Sequence, residues 1–156
     1  MVDLTSISAL LAAIGVLVGV VFATLQLRTL ARDRKTALLI GLFSTISSRE
    51  WLEAWEKFRD RETLDYDKYR EKYGMVELNQ VSMFFLELGA LLHRKLIDIE
   101  LIGGLFRPHV KMVWEKVKPS VEDSRRRAKD PTFWIELEYL YNEMQKREQA
   151  LQQTPQ

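Results

Sequence analysis

The chain has 156 residues, and its 23 basic and 22 acidic side chains leave a formal net charge of +1. This balance lacks the basic excess that nucleic acid attracts, so no nucleic-acid partner is expected. Cysteine is absent and only two histidines occur, which excludes disulfides, thiolate metal sites and a cysteine nucleophile and gives no histidine cluster that would predict a metal.

The first predicted element is an uncharged run from Leu4 to Leu27, between Asp3 and Arg28. As a helix that rises about 1.5 Å per residue, it would reach roughly 36 Å, against a bilayer hydrocarbon core of about 30 Å. The run has no polar face, which disfavours a buried helix of a soluble protein. The sequence therefore predicts one transmembrane helix.

A cleaved secretory signal is the alternative interpretation of this run, because Val21-Phe22-Ala23 resembles a small-residue cleavage site. Two features oppose it. The apolar stretch exceeds the roughly 7–15 residues of a signal core, and no Lys or Arg precedes it. We therefore expect the span to stay in the mature protein.

Charges on the two sides of the span predict its orientation. Arg28, Arg32, Arg34 and Lys35 follow the run, whereas the residues before it carry Asp3 alone. Basic residues next to a span favour the cytoplasmic side, so we expect the amino terminus outside and the carboxyl-terminal domain in the cytoplasm. The same four basic residues are candidates for contact with anionic lipid, at about 1 kcal/mol per charge near the surface.

Small residues recur at every fourth position inside the span, at Gly15, Gly19 and Ala23. This spacing places them on one helix face, where a second helix can approach closely. Gly and Ala are also common in membrane helices, so helix contact and lipid exposure both stay open. The run contains no charged residue, so no proton relay or ion site is predicted within the membrane.

The basic segment contains neither Gly nor Pro, so the membrane helix is expected to continue to about Ile46. Ser47 and Glu50 have the spacing of a capping box, which predicts a new helix with Ser47 as N-cap, ending near Arg61. Three aromatic residues mark the predicted buried face of this helix: Trp51, Trp55 and Phe58.

A short helix and then a long one are predicted next. Asp65 or Asp67 is expected to cap the short helix, which ends at Gly74 because glycine readily adopts a left-handed conformation. From about Val76 to Leu96, apolar residues recur at the spacing of a helix with a wide buried face, which predicts the central helix of the domain. They are Leu78, Val81, Phe84, Phe85, Leu88, Leu91 and Leu92.

Glycine and proline positions divide the remaining chain. Asp98 is expected to cap a short helix that stops at Gly103-Gly104, and Pro108 fits the first turn of the next helix. Pro119 is expected to kink or break that helix. Asp130-Pro131 supplies an N-cap and first-turn pair for the final helix. Its apolar side is predicted to carry Phe133, Trp134, Leu137, Leu140, Tyr141 and Met144.

The predicted elements give an all-α protein, with one N-terminal transmembrane helix followed by a compact cytoplasmic helical bundle. Residues 1–35 form the anchor with its basic juxtamembrane turn, and residues 36–152 form the helical domain. Residues 153–156 are expected to fray.

The central helix carries a family motif. Phe84-Phe85-Leu86-Glu87-Leu88-Gly89, with Leu91-Leu92 and His93–Asp98 after it, resembles the NFFE-x-G-x-L-x-x-x-G-x-I-D core of an uncharacterised prokaryotic family of small membrane-anchored helical proteins. The family has Gly where this chain has Leu96, and Phe where it has Leu86. The match continues through Trp114-Glu115-Lys116, Arg125-Arg126-Arg127, Asp130-Pro131 and Leu137–Leu140. The resemblance implies an architecture but brings no assigned activity, catalytic residue or cofactor.

Two glutamates are the candidates for chemistry. Glu87 and Glu138 lie on aromatic-rich helices, and a buried carboxylate pair could serve acid–base work or hold a metal. The favoured interpretation is a structural ion pair of Glu87 with Arg125 or Arg126. Since neither histidine has a Glu three residues before it, the usual di-metal helical motif is missing. We therefore expect no enzyme, no metal and no cofactor.

A non-enzymatic membrane protein remains, acting as an accessory or regulatory subunit of a larger membrane assembly or as a homo-oligomeric scaffold. Its expected partners are membrane lipid and another membrane protein or a second copy. The alternative is an oligomeric pore or membrane-perturbing effector, which would need polar residues along one face of the span. Those present lie near its ends. The Arg125–Lys129 cluster is either a solvated helix face or a docking patch.

Overall fold

A computed structural model describes residues 4–153, with the side chains of residues 4–7, 9, 10, 31, 32, 34 and 35 outside the described part. Within these residues the predicted all-α fold is confirmed, and no strand occurs. The described helices are α1 (Leu4–Ile46), α2 (Arg49–Asp60), α3 (Tyr66–Tyr73), α4 (Val76–His93), α5 (Ile99–Ala128) and α6 (Ile135–Gln153).

The chain divides into two compact units, Met1–Ser44 and Thr45–Gln156. The first consists of α1, whose predicted continuation to Ile46 is confirmed. Its segment Leu11–Leu30 is long and apolar enough to cross a membrane, and none of it is buried. A signal sequence would have the same length and composition, so these two properties establish only a candidate span.

The cap of α2 lies one residue later than predicted. Ser48 is the N-cap, with φ −70° and ψ 146°, and its hydroxyl accepts a hydrogen bond from the Trp51 amide at 3.2 Å. The predicted capping box of Ser47 with Glu50 is therefore wrong. Ser48 occupies the N-cap position, and its hydroxyl oxygen forms the cap. Trp51 and Phe58 are buried as predicted, whereas Trp55 is half-buried and stacks on Trp51 at 5.4 Å.

Helix α3 has the predicted caps. The Asp65 carboxylate accepts a hydrogen bond from the Lys68 amide at 3.0 Å. Gly74 ends the helix with a φ of 73°, which strongly favours glycine, while its amide donates to the Arg70 carbonyl at 3.0 Å. The turn places α4 directly after α3.

Helix α4 is the central helix, as predicted, since it packs against α2, α5 and α6. Its predicted apolar positions are buried, apart from the half-buried Leu91, whereas Val76 and Met83 on the same helix are exposed. The helix ends at His93 in a Schellman turn, in which Lys95 donates to Leu92 and Leu96 donates to Leu91, both at 2.9 Å. Lys95 adopts the left-handed φ of 57° that this turn requires, so the turn forms without a glycine.

Helix α5 differs most from the sequence prediction. It runs for 30 residues through Gly103-Gly104, Pro108 and Pro119, so the predicted stop, restart and break are wrong. One face stays apolar along its whole length, because the buried positions follow each other at three- or four-residue intervals. They include Ile102, Phe106, Val110, Val113, Val117 and Val121. Burial of this face offsets the hydrogen bonds that the two prolines remove.

Helix α6 begins at Ile135, four residues after the predicted first-turn proline. The Asp130 carboxylate instead closes a local turn, where it accepts hydrogen bonds from the Thr132 amide at 2.8 Å and the Thr132 hydroxyl at 2.6 Å. Phe133 and Trp134 therefore lie before the helix and not on its buried side. Leu137, Leu140 and Met144 are buried as predicted.

Gly89 sets the distance between α4 and α6. A Cβ at this position would overlap the carbonyl oxygen of Glu136 and lie 2.7 Å from its carbonyl carbon. A backbone carbonyl cannot move aside as the end of a flexible side chain can. The two helices therefore approach this closely only with glycine at position 89.

Gly89→Ala should destabilise the second unit by about 1–3 kcal/mol, because the added methyl group forces α4 and α6 apart. Gly104→Ala is the matched control, since nothing lies within 4 Å of its Cβ position among the described residues. That change should stabilise by about 0.5–1 kcal/mol through helix propensity. Thermal unfolding followed by circular dichroism measures both. Equal stability of the two variants would contradict the close contact.

Candidate functional site

The predicted contact face of α1 is uncovered in the first unit. Gly15, Gly19 and Ala23 are exposed, and a Cβ at either glycine would meet no described atom within 4 Å. The structure thus leaves this surface, here named the small-residue ridge, free for a second helix or for lipid. Which of the two covers it stays a prediction.

Two threonines near the carboxyl end of the span bond to the backbone of their own helix. The Thr24 hydroxyl donates to the Val20 carbonyl at 2.8 Å, and the Thr29 hydroxyl donates to the Leu25 carbonyl at 3.0 Å. Unpaired hydroxyls are costly in an apolar environment, and these bonds remove much of that cost. The arrangement suits contact with lipid.

The predicted basic collar lies on α1 after the uncharged run that ends at Leu27, and its first residue, Arg28, falls inside the candidate span Leu11–Leu30. Arg28 is exposed. The side chains of Arg32, Arg34 and Lys35 lie outside the described residues, although their backbone is helical. The basic segment is therefore part of one continuous helix, and its role in lipid contact or topology stays a prediction.

The predicted ion pair of Glu87 is wrong. Glu87 is exposed and forms no ion pair within residues 4–153. Arg125 instead donates to the Glu138 carboxylate at 2.8 Å and, through Nε, to the Phe133 carbonyl at 2.9 Å. Because Phe133 precedes α6 and Glu138 lies in its first turn, this guanidinium holds the start of α6 against α5. We name it the Arg125 clamp.

Internal partners also engage the two neighbouring arginines of the basic cluster. Arg126 pairs with Asp123 at 3.2 Å, and Arg127 pairs with Asp67 on α3 and with Asp123 at 2.7 Å. The hydrogen bonds to Asp67 and Asp123 raise the pKa of Arg127. The hydrogen bond between Arg127 and Asp67 also lowers the pKa of the Asp67 carboxyl group. Whether the cluster is a solvated helix face or a docking patch stays a prediction.

Lys116 has a role that its sequence position did not reveal. Its ammonium donates to the carbonyls of Phe58, Arg59 and Arg61, at 3.0 Å for Phe58 and 2.5 Å for Arg61. These carbonyls belong to the last turn of α2 and the residue after it. Lys116 on α5 therefore donates hydrogen bonds to carbonyl groups that have no partner within the helix at its carboxyl end. Burial lowers the pKa of Lys116. Its partners are main-chain atoms, which no side-chain pattern identifies.

The described residues do not bring the candidate glutamates together or form a metal-binding group. The described part of the chain contains no group of three or more His, Asp or Glu side chains that could hold a metal ion. The predicted meeting of Glu87 with Glu138 does not occur, since Glu87 faces solvent and Glu138 binds Arg125. His93 pairs with Glu136 at 2.9 Å on the surface and stacks on Tyr139.

The Arg125 clamp and the exposed position of Glu87 predict different losses of stability for Glu138→Gln and Glu87→Gln. Glu138→Gln should destabilise by about 1–2 kcal/mol, because it weakens a charged hydrogen bond whose arginine is mostly buried. Glu87→Gln should stay within about 0.5 kcal/mol of the parent, as expected for an exposed side chain without an ion pair. Urea unfolding monitored by tryptophan fluorescence compares them. A larger loss for Glu87→Gln than for Glu138→Gln would contradict the assignment.

Comparison with known proteins gives one match. A family model described as Domain of unknown function (DUF4760) matches residues 9–144. No curated protein matches the chain, and no solved structure matches it. The matched region covers most of α1 and reaches into α6, so it includes the candidate span and most of the helical unit. The chain belongs to the family described as Domain of unknown function (DUF4760).

Proposed function

We propose that this protein is a non-enzymatic, single-pass membrane protein whose helical domain works by binding. It serves as an accessory or regulatory subunit of a larger membrane assembly, or as a homo-oligomeric scaffold. The observation that carries the proposal is the unburied apolar segment Leu11–Leu30, attached to a second unit that has a core of its own.

The exposed apolar surface of α1 supports membrane insertion. Val16 and Leu17 have exposed fractions of 67% and 66%, and Phe22 has 63%. Each Leu, Val or Phe near the centre of a span favours insertion by about 0.3–0.6 kcal/mol. A bilayer would remove this apolar surface from water, and the run from Leu4 to Leu27 contains no charged residue that opposes the transfer.

The basic segment supports an orientation with the amino terminus outside and the domain in the cytoplasm. Arg28 begins this segment, directly after the uncharged run. Attraction between these basic side chains and anionic lipid headgroups of the inner leaflet would hold the helix at this depth.

A binding role is favoured over a pore. A pore needs polar groups along the lumen-facing side of several helices, whereas the Thr24 and Thr29 hydroxyls bond back to their own helix. The small-residue ridge supports contact with a partner's membrane helix or with a second copy, because its glycines allow close backbone approach. A pore or membrane-perturbing effector remains the second candidate function on composition alone.

Membrane anchoring predicts a strong effect of charge in the span. Val16→Lys with Val20→Lys should release the protein into the soluble fraction after alkaline carbonate treatment, since two central lysines cost about 5–7 kcal/mol of insertion free energy. Leu101→Lys with Leu105→Lys is the matched control, as these α5 residues are also exposed and four positions apart. It should stay in the membrane fraction with the parent. Carbonate extraction of the parent would refute the anchor.

Cysteine labelling of spheroplasts measures on which side of the membrane the domain lies. The chain has no cysteine, so Glu87→Cys introduces a single label site at an exposed position. A membrane-impermeant maleimide should leave intact spheroplasts unlabelled and react after detergent permeabilisation. Labelling of intact spheroplasts would place the domain outside. A soluble form starting near Thr24 would instead indicate a cleaved signal.

A bulky substitution in the small-residue ridge is expected to weaken association between membrane helices without weakening membrane insertion. Gly19→Leu should leave insertion unchanged, because Leu favours the bilayer, while it separates helices that pack at the ridge. Ala13→Leu is the matched control, since at 3.6 residues per turn it lies on a different side of α1. Crosslinking and co-purification from membranes at equal expression measure both variants. Unchanged association of Gly19→Leu would mean that the ridge faces lipid.

A further inference from the structure

The second unit contains a pocket of about 400 Å³ that the proposed function does not use. Residues of α3, α4 and α5 and of the turn before α6 line it. Its volume lies within the range of small-molecule sites, which are mostly apolar with a few convergent polar groups. The chemistry of its lining therefore decides which kind of molecule fits.

Aromatic side chains form one wall of the pocket. Phe133 and Trp134 stack with ring centroids 5.8 Å apart and an angle of 29° between their planes, and Tyr66 of α3 contributes a third ring. Such faces favour a flat apolar ligand, since aromatic groups gain energy from stacking beyond simple burial. Met83 contributes a flexible side chain that adapts to shape.

The backbone at this wall is strained and held in place. Trp134 has a φ of 60°, a left-handed conformation that is rare for a bulky side chain and costs about 1–3 kcal/mol. The Arg125 clamp binds the Phe133 carbonyl at 2.9 Å and the Glu138 carboxylate at 2.8 Å, on the two sides of Trp134. The fold therefore maintains the indole at the pocket instead of releasing this strain.

Polar groups without partners also line the pocket. The side-chain amide of Asn79, the Ser124 hydroxyl and the Trp134 indole N–H make no hydrogen bond to any described residue. Together they offer donors and an acceptor next to an aromatic wall. A ligand with a hydrogen-bonding edge would engage them.

The residues that line the pocket are uncharged. None of its ten residues is Asp, Glu, Lys, Arg or His. The nearby arginines are already paired, Arg125 with Glu138 and Arg127 with Asp67 and Asp123. A charged ligand would lose hydration without gaining an opposite charge, which is strongly unfavourable.

We propose that this pocket binds a small, uncharged, planar molecule that stacks on Phe133 and Trp134 and hydrogen-bonds to Asn79 or Ser124. The site lies wholly in the second unit and is independent of the membrane anchor. A partner protein's aromatic side chain is the competing occupant, since Met83 and Phe133 are partly exposed, and the test below separates the two.

Indole is a suitable probe, because it is uncharged and planar and carries one N–H donor. The full chain in lipid nanodiscs is labelled with 5-fluorotryptophan at its four tryptophans, and Trp134→Phe assigns the Trp134 fluorine resonance. Indole should shift this resonance saturably, with a dissociation constant of about 1 mM or tighter for so small a ligand. The buried Trp114 supplies the internal reference.

Ser124→Phe fills the pocket and should weaken indole binding by at least about tenfold. Ser44→Phe is the matched control, since Ser44 is exposed on α1 in the first unit, and it should bind like the parent. Should Ser124→Phe fail to fold, Asn79→Ala at an exposed position should weaken binding by about fivefold through loss of a hydrogen bond.

Three results would overturn the proposal: no shift of Trp134, equal shifts of all four tryptophans from indole dissolved in lipid, or parent-like affinity in the pocket variants. The first result leaves the pocket to a partner's side chain. None of them bears on the carbonate extraction of the parent, so failure of this site and failure of the anchor are distinguishable.

Discussion

The close contact between α4 and α6 is the constraint on which the helical unit depends. Gly89 lies against the Glu136 carbonyl, and this approach buries Leu88 on one helix together with Leu137 and Leu140 on the other. Helices usually pack 8–10 Å apart, at a distance set by the side chains between them, and glycine permits the short end of that range. Helices α2 and α5 also pack against α4, and α5 packs against α6, so the crossing of α4 and α6 lies at the centre of the helical unit.

Sequence periodicity predicted the helical class and the central helix because burial acts on side chains that recur along one face. Glycine and proline positions, in contrast, predicted the ends of α5 wrongly. Gly103-Gly104 and Pro108 indicate a helix end by propensity, yet Ile102, Phe106 and Val110 continue one apolar stripe across them. Tertiary burial outweighs propensities of about 1–3 kcal/mol when a long stripe can be covered. The stripe was visible in the sequence and was the better predictor.

Partner choice among charged residues was much harder to predict. The pair of Arg125 with Glu138 depends on α6 starting at Ile135, since that start places Glu138 in its first turn, beside α5. In a helix that began at Pro131, as predicted, Glu138 would lie about one turn further along. The partners of Lys116 were hard to predict for the same reason. They are carbonyl groups at the end of α2, and which carbonyls lack a helical partner depends on the residue at which the helix ends.

Polar groups with internal partners and surfaces without them together indicate where each unit would bind. In α1 the described threonine hydroxyls near the end of the span return to the backbone, which leaves an apolar surface with one small-residue ridge. In the helical unit the arginines of α5 pair with carboxylates, which leaves the aromatic pocket and its free donors beside Trp134. Unused apolar surface favours a membrane or another helix, whereas unused hydrogen-bonding groups in a concave site favour a small ligand. Since the second unit has its own core, each of these surfaces can act without the other.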